Sequence, residues 1–223
     1  MRFAVEEGWR RDDPTNDVKA VRVRSNGFYT WTEDDIEAFR LRWSIGTKQR
    51  LAMELALNTG QRRSDLVRMG KQHVRDGRIH ITQQKTKTKL AIPIHPDLQA
   101  VLDAIPPEHL TFLTTGYGQP FTPAGFGGWF KAACNSAELP KACSAHGLRK
   151  AACRRLAEAG CSANVIASIS GHRTLKEVAR YTTAADQERL ADTAIRALSG
   201  PEREQELANP ETRLAKLAHK HLK

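Results

Sequence analysis

Four short segments hold the residues best suited to chemistry: TGQRRSDL (59–66), QQKTKTK (83–89), HGLR (146–149) and SGHRTLKEVARY (170–181). They supply two guanidiniums (Arg62, Arg149), an ammonium among Lys85, Lys87 and Lys89, two imidazoles (His146, His172) and a phenol, Tyr181. Guanidiniums grip anionic oxygens in a fork. Imidazoles move protons near neutral pH, and a phenol is a nucleophile once it loses its proton. Each residue also has a plain structural reading. Arg62 and Asp65 fit an i,i+3 surface pair. Lys85 fits a solvated turn, His146 and Arg149 a polar patch on one helix face, and Tyr181 a packing aromatic. The charge balance favours anion chemistry: 35 Lys and Arg stand against 25 Asp and Glu, a net +10. Such an excess suits a polyanionic partner, nucleic acid first.

Taken together, the segments resemble the catalytic domain of the tyrosine recombinases, the phage-integrase family, over about residues 31–198. The family's signature is an Arg in T-G-x-R, a hairpin Lys, H-x-L-R, then G-H with a Tyr nine residues on. Here those positions are Arg62, Lys85, His146 with Arg149, His172 and Tyr181. The resemblance implies DNA strand cleavage by transesterification, in which the tyrosine hydroxyl attacks phosphorus. A 3′-phosphotyrosyl bond and a free 5′ hydroxyl result, and a second 5′ hydroxyl reverses the step. It implies no ATP, no cofactor and no metal. In that scheme Arg62 and Arg149 neutralise the transition state and favour the Tyr181 phenolate. His146 accepts the tyrosine proton or bonds the phosphate, and His172 donates to the phosphate. Lys85 protonates the leaving oxygen. On residue type alone Lys87 and Lys89 rival it, and the Q-K-T context favours Lys85. Asp65 stands where most relatives carry Glu and is expected to hold Arg62 or the hairpin. Gln61 stands where relatives often have an apolar residue.

These residues need elements to hold them. Thr32 with Asp35 opens a helix, EDDIEAFRLRW, as a capping box. A second helix runs from about Lys48 to Asn58, with Leu51, Leu55 and the alanines as its apolar face, and Gly60 stops it. The short RRSDLVRM helix ends at Gly70. Asp76-Gly77 is a hairpin turn, and Arg78–Gln84 alternates around Ile79 and Ile81. After KTKTK, the run LAIPI is a third strand, which Pro93 places at an edge. Beyond Pro96 the chain is helical. Thr122-Pro123 starts one helix, His146–Ala159 and Ser162–Ser170 form two more, Leu175 to Thr182 a short one, and Ala184–Leu198 the last. The fold class is therefore mainly α with a small antiparallel β-sheet (α+β). Residues 1–30 are read as a lead-in or linker, with VKAVRVR a short strand or extended arm. Residues 199–223 are read as a tail in which TRLAKLAHKHLK docks or frays. Family members usually carry a separate helical domain before the catalytic one, and residues 1–30 are too short to be it. The chain is thus expected to be a trimmed catalytic domain or a naturally short product.

Other classes fall away. The chain has a mean hydropathy of −0.53 and no long apolar run, so no membrane span is expected. The N-terminus has no signal-like apolar stretch. Cys134, Cys143, Cys153 and Cys161 form no C-x-x-C pair and read as reduced, buried thiols. Walker, G-x-G-x-x-G, G-x-S-x-G and H-E-x-x-H motifs are absent. The expected partner is double-stranded DNA, touched by Lys87, Lys89, Lys150 and Arg154. The last two belong to a stretch, 141–160, that holds Lys141, Arg149, Lys150, Arg154 and Arg155 against Glu158 alone. A monomer when free, a homotetramer on DNA and a cytoplasmic, nucleoid-associated location complete the expectation. Two other readings stand beside it: a DNA-binding module without turnover, and a related nicking topoisomerase.

Overall fold

Hydroxyl side chains write the helix starts of this chain. In the computed structural model, which describes residues 1–16, 18, 27–105 and 109–208, the order is α1 (Arg2–Glu6), α2 (Glu33–Arg42), α3 (Lys48–Thr59), α4 (Arg63–Leu66), β1 (Val74–Arg75), β2 (Arg78–Thr82), β3 (Lys89–Pro93), α5 (Pro96–Asp103), α6 (Pro123–Ser136), α7 (Ala145–Glu158), α8 (Ala163–Ser170) and α9 (Leu175–Ala208). Thr32 accepts from the Asp35 amide at 3.1 Å, and the Asp35 carboxylate accepts from the Thr32 amide at 2.8 Å. Thr47, Thr122, Ser144 and Ser162 cap α3, α6, α7 and α8 in the same way. Each such cap satisfies an orphan amide and contributes about 1 kcal/mol.

The core forms around α3. The sequence gives α3 one apolar face, but it is buried on all sides: Leu51, Met53, Leu55 and Leu57 are covered, and so is Glu54. A buried carboxylate must be paired, and Glu54 accepts from Arg50 at 2.9 Å, from Arg40 at 3.1 Å and from the Asn58 amide. Trp31, Phe39, Phe126 and Phe130 form a fully buried aromatic cluster beside it, with Phe39 and Phe130 stacked at 5.5 Å. Burying a ring of this kind stabilises by roughly 1.5–3 kcal/mol.

The sheet has the order β1-β2-β3, antiparallel throughout, with Ile79 opposite Ile92 and Ile81 opposite Leu90. Asp76 and Gly77 both have positive φ, the conformation of a two-residue hairpin turn. β3 lies at the edge, where Pro93 costs no ladder bond.

The sequence expectation of separate helices at 175–182 and 184–198 is corrected. α9 runs unbroken from Leu175 through Gly200 and Pro201 to Ala208. Between Thr182 and Ala185 no left-handed residue ends the turn, and the Thr182 hydroxyl bonds back to the Ala179 carbonyl at 3.2 Å. A proline removes one helical bond and kinks a helix, but it does not oblige it to end. Most of VKAVRVR, Pro106-Pro107 and the leucines of 209–223 lie outside the described residues. Cys134, Cys143 and Cys153 are buried free thiols. Burial first, then their mutual proximity, pushes Cys134 up to about 12, and burial does the same to Cys143. Among the described residues no helix is long and apolar enough to cross a membrane.

Candidate active site

Six side chains singled out from the sequence, Arg62, Lys85, His146, Arg149, His172 and Tyr181, line one cavity of about 250 Å³. They come from α4's N-terminal edge, the β2–β3 turn, α7, the α8–α9 turn and α9. Lys150, Glu177, Arg180, Gly27 and Phe28 complete the wall. Lys87 and Lys89 do not line it, so the geometry separates Lys85 from its two rivals. The three tyrosines separate as well. Tyr29 donates to Asp35 at 2.8 Å, Tyr117 lies 93% exposed on a turn, and only Tyr181 faces the cavity.

Arg149 anchors the site. It is 3% exposed and sits on α7. Its Nη1 donates to the Gly60 carbonyl and, at 2.8 Å, to the Ser170 carbonyl; its Nη2 lies 2.9 Å from His172 Nε2. Burial, then the neighbouring Arg62, lowers it to about 10, which leaves it charged at neutral pH. Among the described residues no carboxylate lies within ion-pair distance of Arg62, Lys85, Arg149, Lys150 or Arg180. Five cations, Arg62, Lys85, Arg149, Lys150 and Arg180, against the single carboxylate of Glu177 leave the cavity wall positive, which suits an anion.

The network sets the His172 tautomer. Ser170 Oγ donates to the Ile166 carbonyl at 2.7 Å and so accepts from His172 Nδ1, also at 2.7 Å. Nε2 is then an acceptor facing the Arg149 guanidinium. In this tautomer the imidazole holds the Arg149 guanidinium through Nε2. Burial first, then Arg149, pushes His172 down to about 4, against the pull of Glu177. The unfolded chain therefore holds a proton on this residue between about pH 4 and 6.5 that the folded chain lacks. Stability is expected to fall as pH drops through that window and to be insensitive to this group above it. His146 and His73 shift in the same direction and steepen the slope. Urea melts across the window should be flatter for His172→Asn; an unchanged slope would refute the assignment.

His146 stands at the N-terminal turn of α7, its ring against Phe28 with centroids 4.4 Å apart. Burial, then Arg149, Lys150, Arg62 and Arg63, lowers its pKa, so it is a neutral proton acceptor at pH 7. Gly147 beside it packs α7 against the incoming chain. A Cβ there would stand 2.4 Å from the Tyr29 carbonyl and 2.8 Å from the Trp31 ring.

Arg62 and Arg149 were expected to favour the Tyr181 phenolate. Arg149 does so, but burial outweighs it and raises the pKa above 10, with Cys153 adding to the rise. The cations that pull it down are Arg180, first, and Arg149. The Arg180 guanidinium lies 5.8 Å over the Tyr181 ring. At neutral pH the nucleophile candidate is thus a neutral phenol.

Asp65 was expected to hold either Arg62 or the hairpin, and it holds the hairpin: Oδ1 accepts from the Gln84 amide at 2.7 Å. Lys150 lines the cavity and donates to the Phe28 carbonyl at 2.5 Å. Arg154, expected on the DNA-facing surface, is committed elsewhere. It bonds Glu33 at 2.6 Å, Glu158 at 2.9 Å and the Trp31 carbonyl at 3.2 Å, clipping α7 to the start of α2. Arg155 also reaches Glu33, at 3.5 Å. The basic stretch 141–160 is therefore divided between the cavity and a structural clip. The sequence reading passed over Arg180, Glu177, Ser170 and Phe28. Glu177 lies one helical turn before Tyr181, a spacing that puts it on the same face, whereas Arg180 adjoins Tyr181 and reaches over its ring.

Residues 32–188 match the phage integrase family. The integrase of Escherichia phage lambda is 52% identical over 93 residues, 42% of this chain and 26% of the relative. That of Escherichia phage HK022 is 31% identical over 101 residues, 45% of this chain and 28% of the relative. This chain therefore aligns with little more than a quarter of these relatives' length. Among solved structures, lambda integrase residues 75–356, a dimer bound to a COC′ core site, superposes with a TM-score of 0.66 at 25% identity, covering 81% of this chain and 68% of that one.

Proposed function

The chain belongs to the phage integrase family, and on that footing we propose that it cuts and rejoins double-stranded DNA through a 3′-phosphotyrosyl intermediate, as a site-specific recombinase. The observation that carries the reading is the convergence of Arg62, Lys85, His146, Arg149, His172 and Tyr181, remote in sequence, on one cationic cavity.

The chemistry follows from the groups. A scissile phosphate enters between Arg62 and Arg149, whose positive charge meets the negative charge gathering on its non-bridging oxygens. Tyr181 Oη attacks phosphorus, and its proton passes to neutral His146. The bond from phosphorus to the 5′ oxygen breaks, and Lys85 delivers a proton to that oxygen. His172 holds the Arg149 guanidinium in position. A 5′ hydroxyl from a second duplex reverses the sequence, and bond energy is conserved throughout. The groups named carry every proton and charge in the step, so neither a metal nor a nucleotide is needed. Lys87, Lys89, Lys150 and the exposed Arg63 serve as phosphate contacts along the duplex. A complete exchange cuts four strands and needs four copies of one nucleophile. The active complex is therefore a homotetramer on two duplexes, formed from monomers that associate on DNA at the nucleoid. Residues 1–30 act as the connection to a preceding DNA-gripping domain, residues 31–198 as the catalytic domain, and residues 199–223 as a segment that couples neighbouring copies.

The test is a nicked suicide duplex drawn from the ends of the element that encodes the chain. A covalent protein–DNA adduct is expected to form and to survive EDTA. Chelator-sensitive adduct, restored by magnesium, would refute the mechanism. No adduct together with tight binding would favour a DNA-binding module, and adduct without exchange between two duplexes would favour a nicking topoisomerase.

A further inference from the structure

Beneath the catalytic cavity lie two glutamines that the mechanism does not use. Gln61 and Gln83 are both fully buried. A primary amide offers two N–H donors on one side and an acceptor oxygen on the other, so its surroundings decide which way it points. Gln61 Nε2 stands 2.8 Å from the Thr59 carbonyl and 2.8 Å from the Ile169 carbonyl. Carbonyls only accept, so both N–H groups are consumed there and Oε1 faces the other way. That oxygen lies 2.6 Å from Gln83 Nε2, which also donates to the Ser170 carbonyl at 2.9 Å. The polarity of Gln83 is now decided. Its own oxygen faces Arg62 Nη1, at 3.3 Å, and the Thr86 hydroxyl. Gly171 seals the pair, because a Cβ there would stand 2.4 Å from Gln83 Nε2.

Thr86 adjoins Lys85 at the tip of the β2–β3 turn. The turn is fixed at its base by the Gln83–Thr88 and Lys87–Gln83 backbone bonds and by Asp65 on the Gln84 amide. The Gln83 side chain is the hold that reaches from the tip into the core. The carbonyls that orient Gln61 belong to α3 and α8, the two helices whose ends carry Gly60 and Ser170, to which Arg149 bonds. One buried amide pair therefore refers the hairpin to the same backbone that seats the arginine.

We propose that Gln61 is a positioning residue for strand cleavage: by fixing the orientation of the Gln83 amide it holds the Thr86 hydroxyl, and with it the Lys85 tip, at the distance proton delivery to the 5′ oxygen requires. The proposal rests on the reading of Lys85 as the acid. Methionine at position 61 keeps the length but offers no donor and only a weak thioether acceptor. Gln83 is then free to turn, and the tip loses its register with the phosphate.

The test compares leaving groups. A 5′-bridging phosphorothiolate leaves as a thiolate and needs no proton, so a defect in acid delivery disappears on it and a defect elsewhere does not. Gln61→Met is expected to cut an ordinary duplex about 10- to 100-fold more slowly, the scale of a small misplacement of a reacting group, with DNA affinity unchanged. On the phosphorothiolate most of that loss should vanish, as it should for Lys85→Ala measured alongside. Thr86→Val, half-buried at the turn and isosteric, should give a smaller loss with the same selectivity, and it decides the matter if Gln61→Met does not fold. Equal slowing of both substrates by Gln61→Met, or by Thr86→Val in its place, overturns the proposal, as does unaltered cleavage. If Lys85→Ala itself is not rescued, the acid assignment fails, and the proposal falls with it for a separate and recognisable reason.

Discussion

Tyr181→Phe is expected to abolish the covalent protein–DNA adduct while duplex binding persists. The substitution deletes one oxygen and leaves the ring. That ring packs with Cys153, Ile166 and Val178 at the α7–α8–α9 junction, so the fold keeps its contacts there. The cations that attract the phosphate are untouched. The loss is therefore one of bond formation alone. The alternative nucleophiles are poorly placed: the Tyr29 hydroxyl is engaged by Asp35, which also raises its pKa, and Tyr117 lies exposed outside the cavity. A denaturing gel with duplex labelled on the strand carrying the new 3′ phosphate reads the outcome. Adduct at the unsubstituted level would sink the nucleophile assignment. Reduced binding would show instead that the hydroxyl holds the phosphate rather than attacking it.

How much of this could be read from the residues depends on the range of the physics involved. Local signals were legible. The Thr32–Asp35 box, Pro123 behind Thr122, Ser162 and the Asp76-Gly77 turn act within four residues, and each stands where the sequence places it. The six cavity residues were legible by resemblance rather than by pattern, since no local rule brings Lys85 to His172. What stayed hidden was the pairing of polar groups across long stretches of chain. Arg154 looks like a solvated cation until Glu33 comes beside it, and Gln61 has no evident purpose until Gln83 and the Ile169 carbonyl enclose it. The balance of burial against charge is equally invisible in one dimension. The sequence points to arginines that favour the Tyr181 phenolate, and Arg149 does, but how far packing against α7 outweighs that charge shows only in the fold. The length of α9 was missed because Thr182, Thr183, Gly200 and Pro201 read as breaks, although none of them compels one.

Arg149→Ala is expected to slow cleavage by about two to three orders of magnitude, the usual consequence of deleting a preorganised donor from an oxyanion site. Two effects on stability oppose each other. Removing the guanidinium takes the side-chain donor from the Gly60 carbonyl, which costs about 1–3 kcal/mol for a buried acceptor, while the Ser170 carbonyl keeps Gln83 Nε2 at 2.9 Å. It also relieves the burial of one cation beside another, the cause that lowers Arg149 to about 10. The variant should therefore fold, with a modest fall in Tm, and its lost activity should greatly exceed any lost population of native protein. Arg149→Lys sharpens the point. An ammonium keeps the charge but cannot serve the Gly60 carbonyl, the Ser170 carbonyl, His172 and a phosphate oxygen from one planar fork. Its cleavage should stay close to that of the alanine variant. Arg62→Ala should show a loss of similar size with less effect on Tm, since Arg62 is only half-buried and bonds the Gln83 side chain at 3.3 Å. Neither arginine variant should recover on a phosphorothiolate substrate, because the charge they neutralise gathers on the non-bridging oxygens whatever group departs. A folded Arg149→Ala protein that cleaves within about tenfold of the parent, well short of an oxyanion donor's contribution, would show that Arg149 is only the strut joining α7 to the ends of α3 and α8.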